Sequence, residues 1–273
     1  MNGAPELYHD HTEIYGSGND GENEPGEYQR LLETLRFTVS RMFPGETDLP
    51  LVEIKSSETV VAMNLAIEVI SDVICPWCFV GKRRLEKAIA STGSEHDVQV
   101  HWLPFQLNPA MPEQGISRKD YRTRKFGSWQ RSQELDDNLS AVGEAEGIAF
   151  NFGRIERTPN TVDAHRVIWL AGQHGCQDAV VEALFAAYFT AGRDVGNRQT
   201  LIQIGTESGL QRHAVESMLG SDDGLQSIRD SRKVNQQRQV SSVPLFVINN
   251  KSTLSGAQQP ETFLDAFTQV TAT

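Results

Sequence analysis

Two cysteines stand where a strand hands the chain over to a helix, and few folds accommodate that arrangement. Residues 66–74 read AIEVISDVI, a short, apolar, β-branched run of the kind that forms a buried strand. Cys75-Pro76-Trp77-Cys78 follows at once. Phe79, Val80, Leu85, Ala88 and Ile89 then recur at helical spacing as far as Ala90, and Ser91-Thr92-Gly93 ends the run.

This placement points to chemistry. The first turn of a helix has unpaired N–H groups and the positive end of the macrodipole, which favour a thiolate over a thiol. Thiolate is the species that attacks a disulfide. Two intervening residues leave Cys78 one turn from Cys75, close enough to close a ring and resolve a mixed disulfide. Pro76 brings a preset φ and lacks an N–H that the helix start could not use. Cys75 is therefore read as the attacking, more exposed cysteine, and Cys78 as the resolving one.

Three other readings compete. Half a zinc site would need a second Cys pair or a close Cys/His pair, and only Cys176 is left over. A structural disulfide suits a secreted chain, whereas this sequence opens with no basic-then-apolar signal. Two inert core cysteines would not need the strand-then-helix context. That context decides for redox chemistry.

The 273 residues suffice for one large or two small domains, and the net charge of −11 argues against nucleic acid or an anionic membrane as partner. The charge is uneven. Residues 1–64 hold twelve acidic against four basic side chains, so the remainder is close to neutral. No apolar run reaches the length of a membrane span. The expected compartment is the cytoplasm, where thiols are kept reduced and a reactive Cys pair is catalytic rather than structural.

Residues 1–64 read as a disordered acidic extension, because Gly16–Gly26 is turn-rich and too polar to order itself. One amphipathic helix is expected over Tyr28–Met42, and Met63, just before the core pattern, is read as the authentic start of translation. A second strand over Asp97–Phe105 makes a parallel βαβ unit, with His101 and Trp102 as sheet residues. From Ser117 to about Gly220 only helical spacing is found: 118–126, 130–146, 161–174, 178–191, 198–208 and 211–219, with Ser117 and Asn160 or Thr161 as caps. Cys176 at one of the joins reads as a small buried filler. A polar helix over 222–238 leads to a strand over 240–249 that is entered through Pro244. Asn249-Asn250-Lys251 turns into a partner strand, and Pro260 opens a last helix. The fold class is thus α/β, a thioredoxin fold with an inserted all-helical domain: first part 65–112, insertion 113–220, second part 221–273.

Five separated blocks also resemble a known family. SDVICPWCFVGKRRLEKA, LPFQLNP, TPNTVDAHR, EALFAAYF and VSSVPLFVINNKSTLSGAQQPE occur in the order found in DsbA-like oxidoreductases of the thioredoxin superfamily. The resemblance is to their FrnE-type branch, near the hydroxychromene-carboxylate isomerases and kappa-class glutathione transferases, and it covers about residues 64–270. It implies that Cys75 and Cys78 are the redox pair and that Pro244 is a cis-proline facing them. It further implies that the Val243 backbone meets a bound peptide or glutathione, beside Pro76 and Trp77.

The function expected from this is thiol–disulfide oxidoreductase activity on protein or small-molecule disulfides. It needs no metal and no resident cofactor; glutathione can serve as co-substrate, and the thioredoxin or glutathione system can recycle the protein. A homodimer is compatible with the reading. The alternative is a glutathione-dependent isomerase or transferase acting on a small aromatic or polyketide-like molecule. There Ser255 and Gly256 would cradle the γ-glutamyl end, and the segment from Asn160 to His165 would roof the substrate. Cys75 stands where those branches typically carry serine, which speaks against that chemistry. A third reading is a chaperone-like binding module whose thiols are incidental, and the retention of both cysteines and Pro244 opposes it.

Overall fold

The structure, a computed structural model, describes residues 63–93 and 96–272. The acidic extension and its helix over 28–42 lie outside the described residues; Met63 and Asn64 already belong to the first strand.

Strand β1 (Met63–Ser71) is the centre of the sheet, with Leu65, Ile67, Val69 and Ile70 buried. It ends three residues before the expected Ile74, because the Cys75 N–H turns back to the Asp72 carbonyl at 2.9 Å. Helix α1 (Pro76–Ser91) follows, and β2 (His96–Pro104) returns parallel to β1 in the register Met63↔His96 to Ser71↔Pro104. Strands β5 (Leu245–Ile248) and β6 (Ser252–Ser255) complete the sheet in the order β2-β1-β5-β6, with β5 antiparallel to β1. The expected strand over 240–249 shrinks to four residues. Pro244 can donate nothing to a ladder, so pairing begins after it. Asn249 and Asn250 take positive φ (49° and 55°), the left-handed geometry that asparagine tolerates in a tight turn.

Between the two halves run α2 (Arg118–Phe126), α3 (Trp129–Ala145), α4 (Val162–Gln173), α5 (Gln177–Phe185), α6 (Arg198–Glu207) and α7 (Arg212–Gly220). Ser117 caps α2 by accepting from the Asp120 N–H at 3.3 Å, and Asn160 Oδ1 accepts from Val162 N at 3.0 Å. The region is not wholly helical. Strands β3 (Ile116–Ser117) and β4 (Arg157–Thr158) form a two-residue antiparallel ladder, too short to leave a periodic signal. The helix expected to run to Ala191 passes into a π turn over Ala186–Thr190. Helix α8 (Leu225–Gln237) leads back to the sheet, and α9 (Pro260–Thr271) ends the description.

Aromatic side chains join the insertion to the sheet layer. Phe79 on α1 stacks on Phe185 at 5.0 Å, and Trp102 on β2 meets the same ring edge-on at 6.3 Å. Each fully buried phenylalanine contributes roughly 1.5–3 kcal/mol by leaving water. Charge joins them as well: Lys82 on α1 is 2% exposed, paired with Glu86, with Asp178 at 3.0 Å and with Glu182 at 3.3 Å, both of the latter on α5. Gln177 covers the outer edge of β2, its side chain accepting from Trp102 N at 2.8 Å and donating to Trp102 O at 3.2 Å.

Candidate active site

Cys75 is the N-cap of α1, and Cys78 lies inside the first turn with its N–H donating to the Cys75 carbonyl at 3.0 Å. Pro76 occupies the first helical position, where no N–H is required. Both cysteines are free thiols. Cys75 is 5% exposed and Cys78 is sealed at 0%, so the order of access follows the sequence reading, although neither lies open. Trp77, 42% exposed, is the large apolar side chain that the turn presents to solvent, with Pro76 half-buried beside it.

The second half of the chain forms the opposite wall. The Cys75 thiol donates to the Val243 carbonyl at 3.6 Å, and the Val243–Pro244 peptide bond is cis. Pro244 sits against α1 at a glycine: a Cβ on Gly81 would come within 3.1 Å of the proline ring and 3.0 Å of Phe246. Ser255 and Gly256 arrive at the same wall, since Gly256 N donates to the Pro244 carbonyl at 2.8 Å. Cys75, Cys78, Pro76, Trp77, Val243, Pro244, Ser255 and Gly256 therefore form one neighbourhood.

Asn160 and His165 do not join it as a roof. Asn160 spends its amide on the loop after β2, donating to Met111 O at 2.7 Å. His165 is only 2% exposed, with Nε2 donating to the Phe105 carbonyl at 2.9 Å. A helical face that reads as ligand-facing has its histidine turned inward, because the loop after β2 offers an unpaired carbonyl there.

Burial pushes the Cys78 thiol well above its usual range, and the neighbouring Cys75 adds to the rise; hydrogen bonds from the Ser71 side chain and the Asp72 backbone oppose it. Cys78 accordingly holds its proton at neutral pH. Ser71 and Asp72, both buried, are site residues that the sequence reading passed over as strand. Their signal was an adjacent polar Ser-Asp pair late in a mostly apolar run. Among the described residues no group of three or more His, Cys, Asp and Glu could hold a metal ion.

The family model for the DsbA-like thioredoxin domain matches residues 66–268. The chain belongs to that family. A probable DsbA oxidoreductase from Streptomyces coelicolor is similar in structure, with a TM-score of 0.70 and 31% identity over 75% of this chain and 89% of its own. Protein YwbO of Bacillus subtilis is 26% identical over 205 residues, 74% of this chain and 94% of its own. The cytosolic disulfide reductase DsbM from Pseudomonas aeruginosa shares the fold (TM-score 0.55, 16% identity, 75% and 99% covered).

Proposed function

We propose that this DsbA-like protein is a thiol–disulfide oxidoreductase that works through Cys75-Pro76-Trp77-Cys78. The observation that carries the reading is the Cys75 thiol, placed at a helix start and 3.6 Å from the Val243 carbonyl. Cys75 attacks a substrate disulfide and forms a mixed disulfide. Cys78 then displaces the product thiol, and the reverse sequence donates a disulfide. Substrates are protein or small-molecule disulfides, with Trp77 as apolar contact and the Val243 backbone as strand-like partner. Glutathione is proposed as co-substrate or recycling reductant, near Ser255 and Gly256, and the cytoplasm as compartment. No described helix is long and apolar enough to cross a membrane.

Insulin-disulfide reduction by the pure protein tests the reading, together with the reduction potential of the Cys75/Cys78 couple. A potential in the thioredoxin range, near about −270 mV, indicates a reductase, and one well above it an oxidant. Absence of exchange in either direction would overturn the assignment.

A further inference from the structure

We propose that a cavity between the end of β2 and helix α8 is a specificity subsite for the peptide that flanks the substrate disulfide. It takes an aromatic side chain, and Arg232 at its rim holds an acidic residue beside that ring. The inference rests on Cys75 being the attacking thiol of a disulfide exchange, and it names the class of substrate that this exchange selects.

The cavity has a volume of about 160 Å³. Pro104, Phe105 and Pro109, from the end of β2 and the loop after it, form one side. Ile228 on α8 and Val240, just past that helix, form the other. An apolar cavity of roughly 150 Å³ admits a benzene ring. The space therefore suits one phenyl-sized side chain.

The polar groups at this cavity are unspent. Asn235, which lines it, is 5% exposed, and its Nδ2 donates to the Pro104 carbonyl at 2.9 Å. That carbonyl can only accept, so the amide orientation is fixed and Oδ1 is left as an acceptor. Among the described residues no donor meets Oδ1, and an amide oxygen on so deeply placed a side chain gains from a ligand N–H. Arg232 follows Ile228 by four residues and precedes Asn235 by three, which puts all three on one face of α8. It is exposed and makes no ion pair or hydrogen bond among the described residues. The charges around it are engaged elsewhere: Asp230 with Lys233 at 3.0 Å, and Arg238 with Glu68 at 2.9 Å. Arg232 is left to meet a ligand carboxylate.

The subsite is within reach of the thiol. Phe105 N donates to the Ser71 carbonyl at 2.9 Å, which ties one side of the cavity to the end of β1, four residues before Cys75. Val240 stands three residues before Val243, so their Cα atoms are at most about 11 Å apart. The Val243 carbonyl is itself 3.6 Å from the Cys75 thiol. An extended peptide covers about 3.3 Å per residue, so an aromatic three or four residues from the substrate cysteine spans the interval. Glutathione brings amide N–H groups and carboxylates but nothing to fill an apolar cavity, and the combination favours a peptide.

Capped peptides that carry one cysteine as its mixed disulfide with thionitrobenzoate test the proposal on the reduced protein, in a Cys176→Ala background. Cys75 takes the peptide sulfur, and thionitrobenzoate leaves with the electron pair of the broken bond. Each peptide rate is divided by that of the mercaptoethanol–thionitrobenzoate disulfide with the same variant. Phe-Glu, Ala-Glu, Phe-Gln or Phe-Lys is placed three to four residues before or after the cysteine. In one of the two placements Phe-Glu should react at least fivefold faster than Ala-Glu. It should also react about threefold faster than Phe-Gln, an advantage that 0.5 M salt removes. Arg232→Glu, at an exposed and unpaired position, should prefer Phe-Lys to Phe-Glu. Val240→Trp, which fills the cavity, should lose the preference for Phe. Rates within twofold of one another for all peptides with the parent protein overturn the proposal. So do preferences unchanged in both variants. An aromatic preference that Trp77→Ala abolishes and Val240→Trp leaves intact also overturns it, because the ring would then sit on Trp77. No release from the mercaptoethanol reference by the parent would sink the redox reading, and the subsite with it.

Discussion

The thiol of Cys75 meets the carbonyl of Val243 at 3.6 Å, across 168 residues of chain. In the proposed function the helix start supplies the nucleophile, and the loop before β5 supplies the surface that a substrate backbone would share. The two cysteines should therefore fail differently. Cys75→Ser is expected to abolish insulin reduction, whereas Cys78→Ser should accumulate mixed disulfides detectable by intact-mass measurement. Trapping by the Cys75→Ser variant instead would reverse the roles.

Burial and a retained proton should make Cys78 inert to alkylation. In Cys75→Ser protein at pH 8, iodoacetamide should leave Cys78 unmodified by peptide mapping, and denaturant should expose it. A thiol whose pKa rises on folding contributes stability that is present at neutral pH and lost only as pH climbs through the raised value. Rapid labelling of Cys78 in native protein would contradict the sealed geometry.

Gly81 separates stability from turnover. Alanine is better than glycine inside a helix by up to about 1 kcal/mol. Here its methyl would press on Pro244 and Phe246 at 3.1 and 3.0 Å, closer than side chains ordinarily sit. The two effects oppose each other, so the melting temperature of Gly81→Ala should move by no more than the roughly 2–4 °C that 1 kcal/mol is worth in a domain of this size. Displacement of Pro244 should nevertheless slow insulin reduction several-fold. Unchanged turnover would mean that the proline wall tolerates movement.

Much of this was legible beforehand, and the exceptions share a cause. The span of α2, Arg118–Phe126, came out as read, because Ser117 and Gly127 mark its ends in the sequence itself. The Cys75–Cys78 turn and the hairpin at Asn249 were likewise written locally. What stayed hidden depends on partners remote in sequence. The start of β5 is set by what Val243 and Pro244 do opposite Cys75, and the inward turn of His165 by a carbonyl 60 residues earlier. Ladder β3–β4 joins segments about 40 residues apart, and two residues carry no period.

Acid should loosen the joint between α1 and α5. Burial alone would raise the Glu182 carboxyl, but the hydrogen bond from Arg83 and the charges of Lys82 and Arg83 outweigh it and hold the group below the ordinary value near 4.5. A depressed carboxylate contributes stability that is present above the unfolded value and lost as pH falls through the folded one. The parent protein should lose denaturation free energy from about pH 4.5 downward, and Glu182→Gln should show a shallower loss from a lower starting point. Parallel curves would assign the acid sensitivity to other carboxylates.

The same grip has an architectural consequence. Lys82 and Arg83 stand one turn beyond Cys78, on the helix that carries both thiols, and carboxylates of the insertion neutralise them. Excising residues 113–220 to obtain a minimal thioredoxin would take away Asp178 and Glu182, two of the three ion-pair partners of Lys82, and would uncover the Phe79 face that stacks on Phe185. Apolar surface now covered by the insertion would face water, at roughly 25 cal/mol per Å² exposed. The insertion is thus no detachable module: α5 supplies counterions to the helix that begins at the two cysteines, and cutting at the two seams would remove them.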